Sequence, residues 1–121
     1  MTGAIDQVGH ILPIGAVNEK IEGFFDACIA TELTGSQGVV IPAANAGDLM
    51  LRHDVVKAAE AGRFQVYAIE TIHEAIGLFT GIEPGQRGDD GQYPPDTVLG
   101  RAVERAAAFW EMGHPRASEV R

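Results

Sequence analysis

The feature that most constrains the fold is a run of apolar residues at helical spacing that begins directly after a tight corner. The corner is the segment Pro13-Ile14-Gly15-Ala16. The apolar residues that follow it are Val17, Ile21, Phe24, Phe25, Cys28, Ile29 and Leu33. Because residues three and four apart share one face of an α-helix, this spacing predicts a helix over about 18–34 with an apolar face. Asn18 is the predicted N-cap of this helix and Gly35 is its predicted stop.

Short strands and further helices are predicted on both sides of this helix. The predicted strands cover residues 1–7, 11–14, 38–41 and 64–69, and the other predicted helices cover 48–52, 55–61, 72–80 and 97–112. Asp54 is the predicted cap of the helix over 55–61. Thr71 and Glu74 have the spacing of a capping box at the start of the helix over 72–80. The order of strands and helices predicts an α+β fold, or mixed α/β sandwich, in which helices pack on a small sheet of short strands.

Composition excludes several classes of function. The net charge of −8 argues against nucleic acid and against an anionic membrane surface as partners. No apolar run is long enough to span a bilayer, and the single cysteine, Cys28, fits the reducing cytoplasm, which is the expected location. The histidines lack metal-ligand spacing, and we therefore expect no metal site. They are His10, His53, His73 and His114.

Lys20 is the candidate catalytic residue. It lies in the first turn of the predicted helix, at the flank of the apolar face. The partial positive charge of a helix N-terminus disfavours a protonated lysine there, and partial burial would act in the same direction. A lysine held in this way can act as a general base. The alternative is a lysine with no chemical role that extends its amine into water.

Three segments resemble the C-terminal part of the Lon protease proteolytic domain. They are Met1-Thr2-Gly3-Ala4-Ile5, Leu12-Pro13-Ile14-Gly15-Ala16-Val17-Asn18-Glu19-Lys20-Ile21 and Val39-Val40-Ile41-Pro42-Ala43-Ala44-Asn45. The resemblance covers residues 1–81 and is greatest to the bacterial Lon-like branch of ATP-dependent proteases. It implies a fold of the kind predicted above. Beyond it, the many glycines and prolines over 82–96 predict a flexible loop, and a C-terminal helix and tail are predicted over 97–121.

The same resemblance implies a Ser-Lys peptidase dyad. Lys20 falls on the position of the dyad lysine, the general base, and Thr2 falls on a threonine that supports this lysine. Two positions depart from the family pattern: Ala16 stands where a second glycine is usual, and Asn18 stands where many members carry another lysine. Asn45 matches a polar position that follows the strand in the family pattern.

The nucleophilic serine of the family is expected upstream of Met1, in a Gly-x-Ser-Ala-Gly setting. The sequence has only two serines, Ser36 in a predicted loop and Ser118 in a polar tail. A continuous helix from Lys20 to the region of Ser36 would separate the two by roughly 24 Å, which is too far for a dyad. We therefore expect a chain that carries the dyad lysine and is inactive alone.

The resemblance also implies partners and cofactors of the intact enzyme. The substrates would be unfolded polypeptides, and the assembly would be a homo-oligomeric ring, commonly a hexamer. ATP and magnesium would bind in an ATPase part outside these residues, and no cofactor is expected in this chain. The alternative function is a non-catalytic module that self-associates or binds a partner.

Overall fold

The computed structural model describes residues 1–114. The predicted C-terminal tail and Ser118 lie outside the described residues. The chain divides into two compact units, the first covering Met1–Ala75 and the second beginning at Ile76. The predicted domain boundaries, after residues 81 and 96, stay predictions.

The first unit contains short strands and helices in the predicted order. Its elements are β1 (Ala4–Ile5), β2 (Ile11–Leu12), α1 (Val17–Thr31), β3 (Gly38–Pro42), a 3-10 helix (Ala43–Asp48), α2 (His53–Glu60) and β4 (Gln65–Ile69). Helix α3 (Ile72–Thr80) begins in this unit and ends in the second. Helices combined with short strands confirm the α+β class.

Two small sheets are joined by single backbone hydrogen bonds. Strands β1 and β2 pair in antiparallel fashion, and β3 and β4 pair in parallel. The backbone N–H of Thr2 donates to the carbonyl of Val40, N to O 3.0 Å, and that of Ile11 donates to the carbonyl of Glu70 at 2.8 Å. The first of these bonds fixes Thr2 beside β3.

The core of the first unit lies between α1 and the parallel strands. Helix α1 buries Val17, Ile21, Phe25 and Cys28, and they pack with residues of β3, α2 and the segment before β4. The predicted apolar face is wider than the observed one, because Phe24 and Ile29 are 44% and 53% exposed. The buried residues follow one another at intervals of four, four and three, which is a single narrow stripe.

The ends of α1 differ from the prediction. The helix begins at Val17 and its N-cap is Ala16, which makes no side-chain cap bond, so the prediction of Asn18 as the N-cap is wrong. It ends at Thr31, before Gly35, and Glu32 takes a positive φ of 88° in the C-cap position. The side chain of Gln37 explains the early end: its amide donates to the Glu32 carbonyl at 3.0 Å and so satisfies backbone that a further turn would use.

The connection from β3 to α2 also differs from the prediction. Residues 43–48 form a 3-10 helix, and the helix predicted over 48–52 is absent: residues 49–52 belong to no helix, and ψ is 119° at Leu49 and 145° at Arg52, as in an extended chain. Helix α2 begins at His53, and its N-cap is Arg52 rather than Asp54. The reason lies in side chains of α1. The backbone N–H of Met50 donates to Asn18 at 2.7 Å and that of Arg52 donates to Glu22 at 2.9 Å, and these bonds hold the segment extended.

The caps of the last two helices are made by threonine side chains. At the start of α3, the N–H of Thr71 donates to the Glu74 carboxylate at 3.1 Å and the N–H of Glu74 donates to Thr71 Oγ1 at 3.4 Å, which confirms the capping box. Helix α4 (Val98–Gly113) is capped by the buried Thr97, whose Oγ1 accepts from the N–H of Gly100 at 3.1 Å. Within residues 1–114, no helix combines the length and apolar character needed to cross a membrane.

An exposed ion-pair cluster predicts a pH-dependent contribution to stability. The Arg52 guanidinium donates to the carboxylates of Asp26 and Asp54 and lowers the pKa of each below its ordinary value of 3.8. A lowered folded-state pKa contributes stability that is fully present above the unfolded value, and this contribution is lost as the pH falls through the folded value. We expect Arg52→Gln to lower the urea midpoint at pH 7, with a difference from the parent that vanishes as the pH falls well below 3.8.

Arg63→Gln is the matched control for that measurement. Arg63 is exposed and forms no ion pair within residues 1–114. Its substitution should leave the urea midpoint unchanged at both pH values. A deficit of the Arg52 variant that stays constant down to the lowest pH would contradict the assignment of the effect to the two carboxylates.

Candidate active site

Lys20 and Thr2 line the same pocket. The pocket has a volume of about 240 Å³, and its walls are Met1, Thr2, Lys20, Phe24 and Val39. Lys20 and Phe24 come from successive turns of α1, Val39 comes from β3, and Thr2 precedes β1. The structure therefore brings together the two residues that the sequence singled out, although they are 18 positions apart. Their side chains are not hydrogen-bonded to each other in the described part of the chain.

The position of Lys20 is fixed by the start of α1. Its backbone N–H donates to the carbonyl of Ala16, N to O 3.1 Å, the first hydrogen bond of the helix. Val17 and Ile21, on either side of it, are 4% and 0% exposed and anchor this turn in the core. Lys20 itself is exposed. The lysine lies at the edge of the buried stripe, where its side chain reaches the pocket from the surface.

The corner before α1 contains a backbone conformation that is rare for alanine. Ala16 has φ 56° and ψ 38°, in the left-handed region. A β-carbon in this region approaches the following carbonyl oxygen, at a cost of roughly 1–2 kcal/mol. The residue in the family pattern is usually glycine, and the departure noted from the sequence thus has a conformational consequence. Such a conformation persists only where surrounding contacts hold it.

Asn45 makes contacts of that kind. The sequence alone assigned no role to this residue. It is 3% exposed. Its Oδ1 accepts from the backbone N–H of Ile14 at 2.9 Å, and its Nδ2 donates to the Ile14 carbonyl at 3.0 Å and to Asp48 Oδ2 at 3.0 Å. The signal in the sequence was a polar residue three positions after a buried strand, but its partner, 31 positions away, could not be identified from spacing.

Asn18 makes a second bridge between the same two segments. Its Nδ2 donates to the Asp48 carbonyl at 2.9 Å, and its Oδ1 accepts from the N–H of Met50 at 2.7 Å. Asn18 therefore binds backbone of the extended segment instead of capping its own helix. A lysine at this position could donate to a carbonyl but could not accept from an N–H, so this paired bridge depends on the asparagine.

Ser36 does not take part in the pocket. It is absent from the residues that line it, and its Oγ lies 2.9 Å from Oγ1 of Thr34 in the loop after α1. The 24 Å separation assumed a helix that continues beyond Thr31, which the structure does not have. The pocket thus offers the Lys20 amine and a threonine hydroxyl, and its lining includes no serine of residues 1–114. Chemically, an amine in such a position can accept and return a proton.

The described residues contain no cluster of potential metal ligands. Within residues 1–114, no group of three or more histidine, cysteine, aspartate or glutamate side chains is placed to hold a metal ion. A second pocket, of about 350 Å³, lies at the carboxyl ends of β3 and β4. Glu70 is the one ionisable residue in its lining.

Comparison with known proteins supports the resemblance. The chain is 46% identical over 82 residues to an Escherichia coli K12 protein named "Putative Lon protease homolog", and 36% identical over 118 residues to a Haemophilus influenzae protein of the same name. It is 33% identical over 78 residues to the Archaeal Lon protease of Thermococcus kodakarensis. No protein-family model matches the chain.

These alignments cover much of this chain and little of its relatives. They include 68%, 91% and 64% of the chain, but 14%, 20% and 10% of the three relatives, respectively. The chain therefore spans at most a fifth of the length of these relatives. At these identities, the chain is related to the Lon proteases and corresponds to a limited part of them.

Proposed function

We propose that this chain supplies the general base of a Lon-like serine peptidase. Lys20 would take the proton from a serine hydroxyl while the serine attacks a peptide carbonyl, and the resulting acyl-enzyme would be released by water. Thr2, in the lining of the same pocket, would hold the lysine amine in position. The serine would be contributed by a segment outside these 121 residues, so the chain alone would not hydrolyse peptides.

The observation that carries this proposal is the shared pocket of Lys20 and Thr2. Lys20 was selected by its place in the helix and by resemblance, Thr2 by resemblance alone, and both line one pocket of about 240 Å³. Lys20 lies in the first hydrogen-bonded turn of α1, a helix with one buried face. Thr2 is held by its backbone hydrogen bond to β3. Rigid elements of this kind can hold catalytic groups in a reproducible geometry.

The remaining features of the proposed enzyme follow from the family. Substrates would be unfolded polypeptides, and the intact protein would be an ATP-dependent enzyme assembled as a homo-oligomeric ring of six copies in the cytoplasm. ATP and magnesium would be bound by its ATPase part. The acidic character of the chain, net charge −8, is consistent with a protein substrate rather than nucleic acid.

Reconstitution tests the proposal. The chain alone should leave a casein-type substrate intact. Joined to an upstream segment that carries the family's Gly-x-Ser-Ala-Gly motif, it should hydrolyse that substrate. Replacement of the upstream serine by alanine in the joined protein is the control, and it should abolish hydrolysis.

The alternative function is a non-catalytic module that self-associates or binds a partner. A folded joined protein without peptidase activity would favour this module and contradict the dyad. Cleavage of casein by the unjoined chain, lost on Lys20→Ala, would contradict the proposed division of the dyad between two segments.

A further inference from the structure

We propose that Asn45 is a positioning residue for Lys20, acting through the strained corner that precedes α1. The inference rests on the proposed function, because it concerns how the dyad lysine is held. It differs from that function in that it assigns a task to a buried amide which contacts neither the pocket nor its lysine.

The side-chain amide of Asn45 uses both its oxygen and its nitrogen in hydrogen bonds. Its acceptor and its donors bind both backbone groups of Ile14, and the amide also donates to Asp48. A buried amide with these bonds acts on Ile14 as a neighbouring β-strand would, since it satisfies one N–H and one C=O of the same residue. Its burial, with 3% exposed, means that water cannot replace it cheaply.

Ile14 is connected to Lys20 through the backbone of the corner. Two residues after Ile14 the chain reaches Ala16 in the left-handed conformation, and the carbonyl of Ala16 accepts the N–H of Lys20. Gly15 lies between them, and no atom lies within 4 Å of the place that a β-carbon would take there. Packing at that position therefore does not restrain the corner. The clamp on Ile14 is therefore the nearest side-chain hydrogen bonding to the backbone that leads into the strained residue, as Asn18 is on the helical side of it.

The segment that carries Asn45 is itself held by hydrogen bonds to α1. The residue belongs to the 3-10 helix, whose end is bound by the bridge from Asn18 to Asp48 and Met50. Each segment thus holds the other: Asn45 restrains the corner before α1, and Asn18, in the first turn of α1, restrains the segment that carries Asn45. Loss of either contact releases the same corner.

Amide hydrogen exchange of the full chain tests this proposal without requiring peptidase activity. Asn45→Ala should raise the exchange rate of the Lys20 amide by about tenfold, because the restrained corner then opens locally. The Arg101 amide, which donates to the backbone carbonyl of Thr97 at 3.0 Å in the first turn of α4, is the internal reference. Its exchange rate should be unchanged. Thr97→Ala gives the reciprocal control: it should raise exchange at Arg101 and leave Lys20 unchanged.

A second substitution separates positioning from a general loss of stability. Ala16→Gly removes the left-handed strain, so in the Asn45→Ala background it should lower the Lys20 exchange rate by about fivefold. Equal acceleration at Lys20 and Arg101 in Asn45→Ala, or no reduction on adding Ala16→Gly, would overturn the proposal. If Asn45→Ala does not fold, Asn18→Ala provides the same comparison, because it removes the reciprocal bridge that holds the segment carrying Asn45. Failure of these tests leaves the peptide-hydrolysis result standing by itself.

Discussion

Replacement of Lys20 by alanine in the joined protein should lower kcat for peptide hydrolysis by at least about 10²–10⁴-fold, the contribution of a positioned general base. The reason is that Lys20 is the one basic side chain among the described residues that line the pocket, whose other walls are Met1, Thr2, Phe24 and Val39, and that the Met1 nitrogen is part of a peptide bond in the joined protein. Substrate binding should change little, since the lysine acts on the serine proton and not on the remote parts of a polypeptide. Steady-state hydrolysis of a fluorogenic peptide measures both parameters.

The chain offers a matched control, because it contains only two lysines. Lys57 is exposed on α2 and does not line the pocket, so Lys57→Ala should retain the parent activity. Lys20→Arg preserves the positive charge but cannot act as a base at neutral pH, and it should be as inactive as the alanine variant. Full activity of Lys20→Arg would mean that the residue acts through its charge alone, which would contradict its role as a general base.

Periodicity was sufficient to predict much of this fold. The long helix, the parallel-paired strands β3 and β4, the capping box at Thr71 and the final helix all lie close to their predicted positions. Each of these signals is local, since apolar spacing and capping depend on residues a few positions apart. The errors concern places where a distant side chain competes with the local pattern. Asn18 and Glu22 hold residues 49–52 extended, although the local sequence favours a helix there.

The candidate site was predictable in part. Resemblance selected Lys20 and Thr2, and the fold places both in one pocket. The exposure of Lys20 was not predictable, because it depends on how far the buried stripe of α1 extends around the helix. The contacts of Asn45 were not predictable either, since a polar residue after a strand has many possible partners. The left-handed Ala16 could be suspected only from the glycine that usually occupies its position.

The largest expected effect on stability is that of Phe64→Ala, about 3–5 kcal/mol. Phe64 is 1% exposed, and its ring meets Phe25 edge-on, with centroids 5.2 Å apart and planes at 86°. A second aromatic contact joins it to Phe24 at 6.3 Å. Removal of the ring would leave a cavity under α1 and would take away both aromatic contacts. Urea denaturation followed by circular dichroism should show a midpoint far below that of the parent.

Phe109→Ala makes the same chemical change at an exposed position and is the control. Phe109 is 56% exposed, and its ring contacts the Arg105 guanidinium 4.4 Å away, so its loss should alter stability by less than about 1 kcal/mol. Phe64→Leu, which refills most of the volume, should lie between the two. Because Phe24 is also a wall of the Lys20 pocket, loosening of Phe64 should disturb the site through the same helix face. Equal stabilities for Phe64→Ala and Phe109→Ala would show that α1 is not held by this aromatic cluster, and the position of Lys20 would then need another support.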